Sequence, residues 1–284
     1  MTKIINANSL EIYTNNAIDQ MVINNYKGRK PKLCILVASD DKASERYVNN
    51  KVKMGEEFRI DVEVIKFGLF VNNIEIADQI DELNNDDSVD GIILQLPVFE
   101  HLDEDYLIHQ ISPYKDVDGL TNYSKLLLDK GTLHKIPCTP LGVVDLLTME
   151  GVLIPGKNVV VVGKGATSGA PMATLFRNYG ATVTVCHSKT PKNDLEFYVR
   201  HADIVISCVG KRDLLNAEWF KEDSIVIGVG LSYDENGKQH LDFDVEKVVE
   251  FGKAKLVSQR TNCTGKATVI SLMYNTALAY LGEL

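Results

Sequence analysis

Tyr47-Val-Asn-Asn-Lys51 puts a phenol and an ammonium four residues apart, on one face of a helix. Positions 47, 51, 54 and 58 form a stripe of Tyr, Lys, Met and Phe. A lysine in such a stripe either snorkels to water or is held at a partly dry site. At a dry site its pKa falls. A drop of about 3 units from about 10.4 makes it a base near neutrality, at a cost of about 4 kcal/mol. Gln95 closes the apolar run Gly91-Ile-Ile-Leu94. At the C-terminal end of a parallel strand its amide can hydrogen-bond that lysine and orient it. Asp116 and Asp118 lie in a loop bracketed by Pro113 and Gly119. Either can bind an amino-pyrimidine edge or another paired donor.

A second chemical feature is Gly163-Lys-Gly165-Ala-Thr-Ser-Gly169, straight after the apolar run Val159 to Val162. Gly163 and Gly165 suit a tight turn and close backbone approach to a pyrophosphate. Gly169 lets the next helix pack on the strand, and that helix offers free amides and a partial positive charge. The spacing is one residue longer than the commonest dinucleotide fingerprint. An NAD site usually ends its next strand in an acid, to hold the ribose. Here that strand ends Val185-Cys186-His187-Ser188-Lys189, with none. Lys164, with Ser188 and Lys189 and with His187 beside them, suits a 2′-phosphate, so NADP is expected over NAD.

These groups need elements to carry them. Strands are predicted over 32–39, 62–67 and 91–96, and helices over 44–58 and 74–83. An earlier helix, about 9–26, packs outside that sheet. Pro137-Cys-Thr-Pro140 interrupts the alternation and turns into a helix over 141–150. A second series follows, with strands at 158–162, 182–186, 203–209, 224–229 and 254–257. Its helices fall at 168–179, 195–201 and about 243–250, and a last amphipathic helix covers 267–284. Strands alternating with helices predict an α/β protein of two domains, each with a parallel sheet. The second is a Rossmann-like dinucleotide-binding domain.

Composition narrows the partners. The 284 residues are 45% hydrophobic and 24% charged, which suits an ordinary globular protein with one or two domains. A net charge of −9 argues against nucleic acid and acidic membrane surfaces. An anionic ligand must therefore be held by local lysines and backbone amides. Five cysteines without a Cys-x-x-Cys pair suggest reduced, mostly buried thiols. No metal-ligand pattern stands out. The N-terminus lacks a signal-peptide shape and no apolar run approaches a membrane span, so cytoplasm is expected.

Together these residues resemble the bifunctional methylenetetrahydrofolate dehydrogenase/methenyltetrahydrofolate cyclohydrolase family. The resemblance rests on Tyr47 to Lys51, Gly91 to Pro97, Pro113 to Leu120, Pro137 to Pro140, Gly163 to Pro171, His187 to Thr190 and Ala202 to Ile206. It implies a folate-binding catalytic domain over 1–140 with a returning helix, 267–284, and an NADP-binding domain over 141–266. The family has a cleft between the two, and homodimers are usual. The implied chemistry transfers a hydride from methylenetetrahydrofolate to NADP⁺. Water then opens the methenyl cation to 10-formyltetrahydrofolate, within one-carbon metabolism and purine biosynthesis. By position, Lys51 is the general acid/base and Tyr47 lines the folate site against the pterin. Gln95 tunes Lys51, and Asp118 binds the pterin amino group.

Three segments depart from the family's pattern. The family reads Gly-Arg-Ser where this chain has Gly163-Lys164-Gly165, losing the planar fork that grips a phosphate twice. Gly228-Val-Gly230 replaces Asp-Val-Gly, which is expected to weaken a local hydrogen-bond network. Thr261-Asn-Cys-Thr-Gly-Lys-Ala-Thr268 replaces Pro-Gly-Gly-Val-Gly-Pro-Met-Thr, so that loop is expected to follow another path. The departures leave two alternatives open: a dehydrogenase without the hydrolase step, or a binding paralogue without turnover. A short-chain dehydrogenase also uses Tyr-x-x-x-Lys, but its glycine-rich turn precedes the tyrosine.

Overall fold

The computed structural model describes residues 1–132 and 135–284. In chain order the first elements are β1 (Lys3–Ile5), α1 (Asn8–Asn24), β2 (Lys32–Val37), α2 (Lys42–Glu57), β3 (Asp61–Lys66), α3 (Asn73–Asn85), β4 (Gly91–Gln95), α4 (Glu104–Ile108), α5 (Asn122–Asp129) and α6 (Cys138–Met149). There follow β5 (Asn158–Val162), α7 (Gly169–Asn178), β6 (Thr182–Cys186), α8 (Lys192–His201), β7 (Ile204–Ser207) and β8 (Ile225–Gly228). The last are β9 (Ser232–Tyr233), β10 (Gln239–His240), α9 (Val245–Phe251), β11 (Leu256–Ser258) and α10 (Thr264–Leu281). The chain divides into two compact units, Met1–Glu11 with Thr139–Thr268 and Ile12–Cys138 with Val269–Leu284.

In the unit built on Ile12–Cys138, three parallel strands lie in the order β3-β2-β4. β2 and β4 are buried almost throughout, as strands covered on both faces must be. Leu36, Ile76, Ile80, Ile92 and Leu94 are among the side chains that fill the core. Local chemistry sets the helix starts. The Asp41 side chain accepts from the Ser44 amide to cap α2, and Asn72 and Glu75 form a reciprocal capping box on α3.

The other unit holds a six-stranded, all-parallel sheet in the order β1-β11-β8-β7-β5-β6. The short pair β9 and β10 is antiparallel beside it. Both units are thus α/β with parallel sheets, and no described helix is long and apolar enough to cross a membrane.

β1 pairs in register with β11, Lys3 opposite Leu256 and Ile5 opposite Ser258, so residues 1–11 lie with the Thr139–Thr268 unit. Backbone bonds from Gln259 N to Ile5 O and Ala7 N to Asn262 O extend the attachment. β1 thereby covers an edge that would otherwise leave its ladder unpaired. The last helix starts at Thr264, three residues before the predicted position. The elements that the pattern did not show (β1, α4, α5, β9 and β10) are all short, two to eight residues.

Candidate active site

In the Ile12–Cys138 unit, α2 buries Val48 and Met54, with Phe58 buried just past its end, and leaves Tyr47 and Lys51 half-buried on one side. β4 ends at Gln95, beside the end of β2. Lys51 Nζ donates to Gln95 Oε1 at 2.8 Å, and Gln95 Nε2 donates to the Leu96 carbonyl at 2.7 Å. The second bond fixes which way the amide faces, so its oxygen meets the ammonium. The Ser44 hydroxyl also donates to the Leu96 carbonyl, at 3.2 Å, tying the start of α2 to the same turn.

The aspartate loop is drawn alongside β4 by a parallel bridge between Ile92 and Asp116, with Ile92 N donating to Lys115 O at 2.9 Å. The two acids then part in role. Asp116 is buried and accepts from the amides of Gly119, Leu120 and Thr121 and from the hydroxyls of Thr121 and Ser124, at 2.6–3.2 Å. Its oxygens are spent on folding the loop and starting α5. Asp118 is the acid left for a ligand.

Burial depresses the Lys51 pKa, against the opposing charge of Asp118. Burial likewise raises the Asp118 carboxyl, with Lys51 pulling the other way. Both groups are pushed toward neutrality, so here loss of water outweighs their mutual attraction. Cys138 completes the cluster. Its thiol is driven well above the ordinary range, chiefly by burial and then by Asp118, and so keeps its proton. That proton serves Asp118 and the Val117 carbonyl, the latter at 3.2 Å. Composition alone marked Cys138 only as a small buried residue. The signal that could have found it is its place between Pro137 and Thr139, at the start of α6. A partly dry amine with a lowered pKa, oriented by an amide and flanked by a carboxyl, suits proton transfer to and from a bound substrate.

In the other unit, β5 enters the glycine turn at Gly163, which has φ +108°. A β-carbon there would meet Cys208 O at 2.9 Å, and one at Gly169 would lie 2.3 Å from Gly163 O. Glycine is therefore required at both positions. At Gly165 a β-carbon meets nothing of the chain within 4 Å, so the space above the turn is open. Ser168 places no side-chain bond on the first turn of α7, unlike the capped α2 and α3. Gly163 N donates to Cys186 O at 2.8 Å, bringing the end of β6 level with the turn.

Beyond β6, His187 N donates to Thr190 Oγ1 at 3.0 Å and Lys189 N donates to His187 Nδ1 at 3.2 Å. Lys164, His187, Ser188 and Lys189 are all exposed at this end. Open space over a glycine turn, an uncapped helix start and neighbouring cations fit a dinucleotide carrying an extra phosphate. His187 is engaged mainly in shaping its own turn. Among the described residues no group of acids, histidines and cysteines could hold a metal ion.

The departing segments are well knit. Gly228 N donates to Ser258 Oγ at 2.8 Å, and Thr264 Oγ1 donates to Gly228 O at 2.7 Å. A β-carbon at 228 would strike the Leu241 side chain at 2.8 Å, so an apolar group fills the space the missing carboxylate would need. The hydrogen bonds there run through the Gly228 backbone. Lys266 pairs with Glu11 at 2.7 Å and Thr268 Oγ1 reaches Thr139 Oγ1 at 3.3 Å, so the altered segment forms an anchored helix start.

Comparison with known proteins places these features. Residues 5–118 match the tetrahydrofolate dehydrogenase/cyclohydrolase catalytic domain, and residues 137–283 match the NAD(P)-binding domain of the same family. The chain is 37% identical to the bifunctional protein FolD of Mycoplasma mycoides over 266 residues, 93% of this chain and 90% of that one. The structure of the bifunctional enzyme FolD from Campylobacter jejuni is similar with a TM-score of 0.94, at 34% identity and 100% coverage of both chains. The Trypanosoma brucei enzyme, solved with NADP cofactor and inhibitor, has a TM-score of 0.92 at 30% identity, covering 99% of this chain and 97% of that one.

Proposed function

Because the chain belongs to the tetrahydrofolate dehydrogenase/cyclohydrolase family, we propose that it oxidises 5,10-methylenetetrahydrofolate with NADP⁺ and hydrolyses the resulting methenyl cation to 10-formyltetrahydrofolate. The observation that carries this reading is the Lys51 ammonium, held on Gln95 where burial lowers its pKa.

NADP⁺, when bound, supplies the hydride acceptor of the first step. The Gly163 turn and the first turn of α7 would hold its pyrophosphate, and Lys164, Ser188 and Lys189 its 2′-phosphate. Hydride transfer asks for alignment and needs no acid or base at the carbon. Asp118 would supply part of that alignment by accepting from the pterin amino group, with Tyr47 packed against the ring. The second step needs proton traffic. Neutral Lys51 takes a proton from water as the oxygen bonds to the methenyl carbon. The protonated amine then returns it to the ring nitrogen as the carbon–nitrogen bond breaks and the carbinol hydroxyl gives its proton to solvent, leaving the formyl group on N10. The net reaction releases one proton, and a lysine with a lowered pKa can serve both stages.

Folates are the expected substrates, with neither nucleic acid nor membrane as partner. A cytoplasmic homodimer is the assembly we favour. β6 is one of the two edges of the six-stranded sheet, and Val185 on it is 39% exposed. A partner strand would cover both the ladder and the side chain. Steady-state assays with methylenetetrahydrofolate and either NADP⁺ or NAD⁺, and with methenyltetrahydrofolate alone, test the reading. Turnover in both steps with preference for NADP⁺ is expected; binding without turnover would overturn it. Sedimentation of wild type against Val185→Asp tests the dimer, which should shift toward monomer.

A further inference from the structure

α10 is apolar along most of its length but carries Asn275, 3% exposed, in its middle. Nearby hydroxyls behave ordinarily, Thr276 Oγ1 bonding back to Leu272 O within the helix at 2.8 Å. Asn275 turns its amide the other way. Nδ2 reaches the Val117 carbonyl at 2.9 Å, the Ile136 carbonyl at 3.4 Å and Cys138 Sγ at 3.6 Å. Val117 immediately precedes Asp118, and Ile136 lies two residues before Cys138. One side chain thus fastens both strands of chain that bear the Asp118–Cys138 pair.

We infer that Asn275 is a positioning residue that holds Asp118 and the Cys138 thiol in register for substrate. The Val117 carbonyl accepts from both the amide and the Cys138 thiol, so one acceptor beside Asp118 joins α10 to the turn that carries the thiol. Without the amide, the Val117 and Ile136 carbonyls lose their donor from α10, and the segments that carry Asp118 and Cys138 are no longer fastened together. A displacement of about 1 Å at such a group costs on the order of 100-fold in alignment-dependent steps.

The inference rests on the reading of Asp118 as the folate anchor, so its test has one arm without folate. In Asn275→Leu, KM for methylenetetrahydrofolate should rise about 10- to 100-fold, while KM for NADP⁺ is unchanged. Cys138, followed by mass spectrometry after brief exposure to a small thiol reagent, should label faster than in wild type. An unchanged folate KM in a folded Asn275→Leu protein overturns the inference, as do equal losses for both substrates. Should Asn275→Leu fail to fold, Asn275→Asp decides. Its carboxyl donates only when protonated, so folate KM should approach the wild-type value as pH falls, and a ratio independent of pH overturns the inference. Wild type that binds no folate would sink the functional reading instead. The clamp would then stand or fall on the Cys138 labelling rate.

Discussion

Replacing Gln95 with leucine separates the tuning of Lys51 from its chemistry. The 2.8 Å bond from Lys51 Nζ to Gln95 Oε1 favours the charged amine. A hydrogen bond to a charged group contributes about 1.5–3 kcal/mol. Its loss therefore lowers the Lys51 pKa further, on top of the depression that burial already imposes. Leucine fills similar space. The Leu96 carbonyl keeps the Ser44 hydroxyl at 3.2 Å, so the turn stays anchored. The sign is definite: removing support for the cation moves the Lys51 limb of the cyclohydrolase kcat–pH profile to lower pH. The assay is hydrolysis of methenyltetrahydrofolate, followed by loss of its absorbance across neutral pH. The dehydrogenase profile should lack that shift. A cyclohydrolase limb that stays in place, or moves up, would refute the reasoning.

Other consequences follow from particular residues. Gly163→Ala forces a side chain into φ +108° and within 2.9 Å of Cys208 O. Strain of about 1–2 kcal/mol should weaken NADP⁺ binding about 10-fold in a titration. Methenyl hydrolysis should persist; undiminished NADP⁺ affinity would contradict the placement. Asp145, half-buried on α6 and without an ion pair among the described residues, has its carboxyl raised by burial from 3.8 to about 6. Its folded form keeps a proton that the unfolded chain has lost. The resulting stability is full below the unfolded value and falls as pH rises through about 6. Asp145→Asn should therefore raise urea stability near neutrality by up to about 3 kcal/mol and change little near pH 4. Equal effects at both pH values would refute this.

Much of the scaffold was legible because its signals are periodic. β2, β4, β5 and β8 are short branched runs, and the helices that follow β2, β3 and β5 repeat their apolar residues at helical spacing. The glycine turn was legible because Gly163 and Gly169 have no alternative. What escaped depends on distant parts of the chain. β1 has three residues and is a strand only because β11 offers it an edge. The split between Asp116 and Asp118 depends on which amides the loop folds back to present, and spacing alone leaves both open. Cys138 and Asn275 meet through contacts 137 residues apart in sequence. At Gly228 nothing near in sequence shows that the Leu241 side chain occupies the space beside it.

The most direct test of the whole account is Lys51→Met, assayed for both steps on one preparation. Methionine keeps the bulk of the side chain and removes the amine. Methenyltetrahydrofolate hydrolysis should fall about 10²- to 10⁴-fold, the usual worth of a positioned acid/base, while NADP⁺-dependent oxidation of methylenetetrahydrofolate remains measurable. Hydrolysis at the wild-type rate would remove Lys51 from its role and contradict the mechanism.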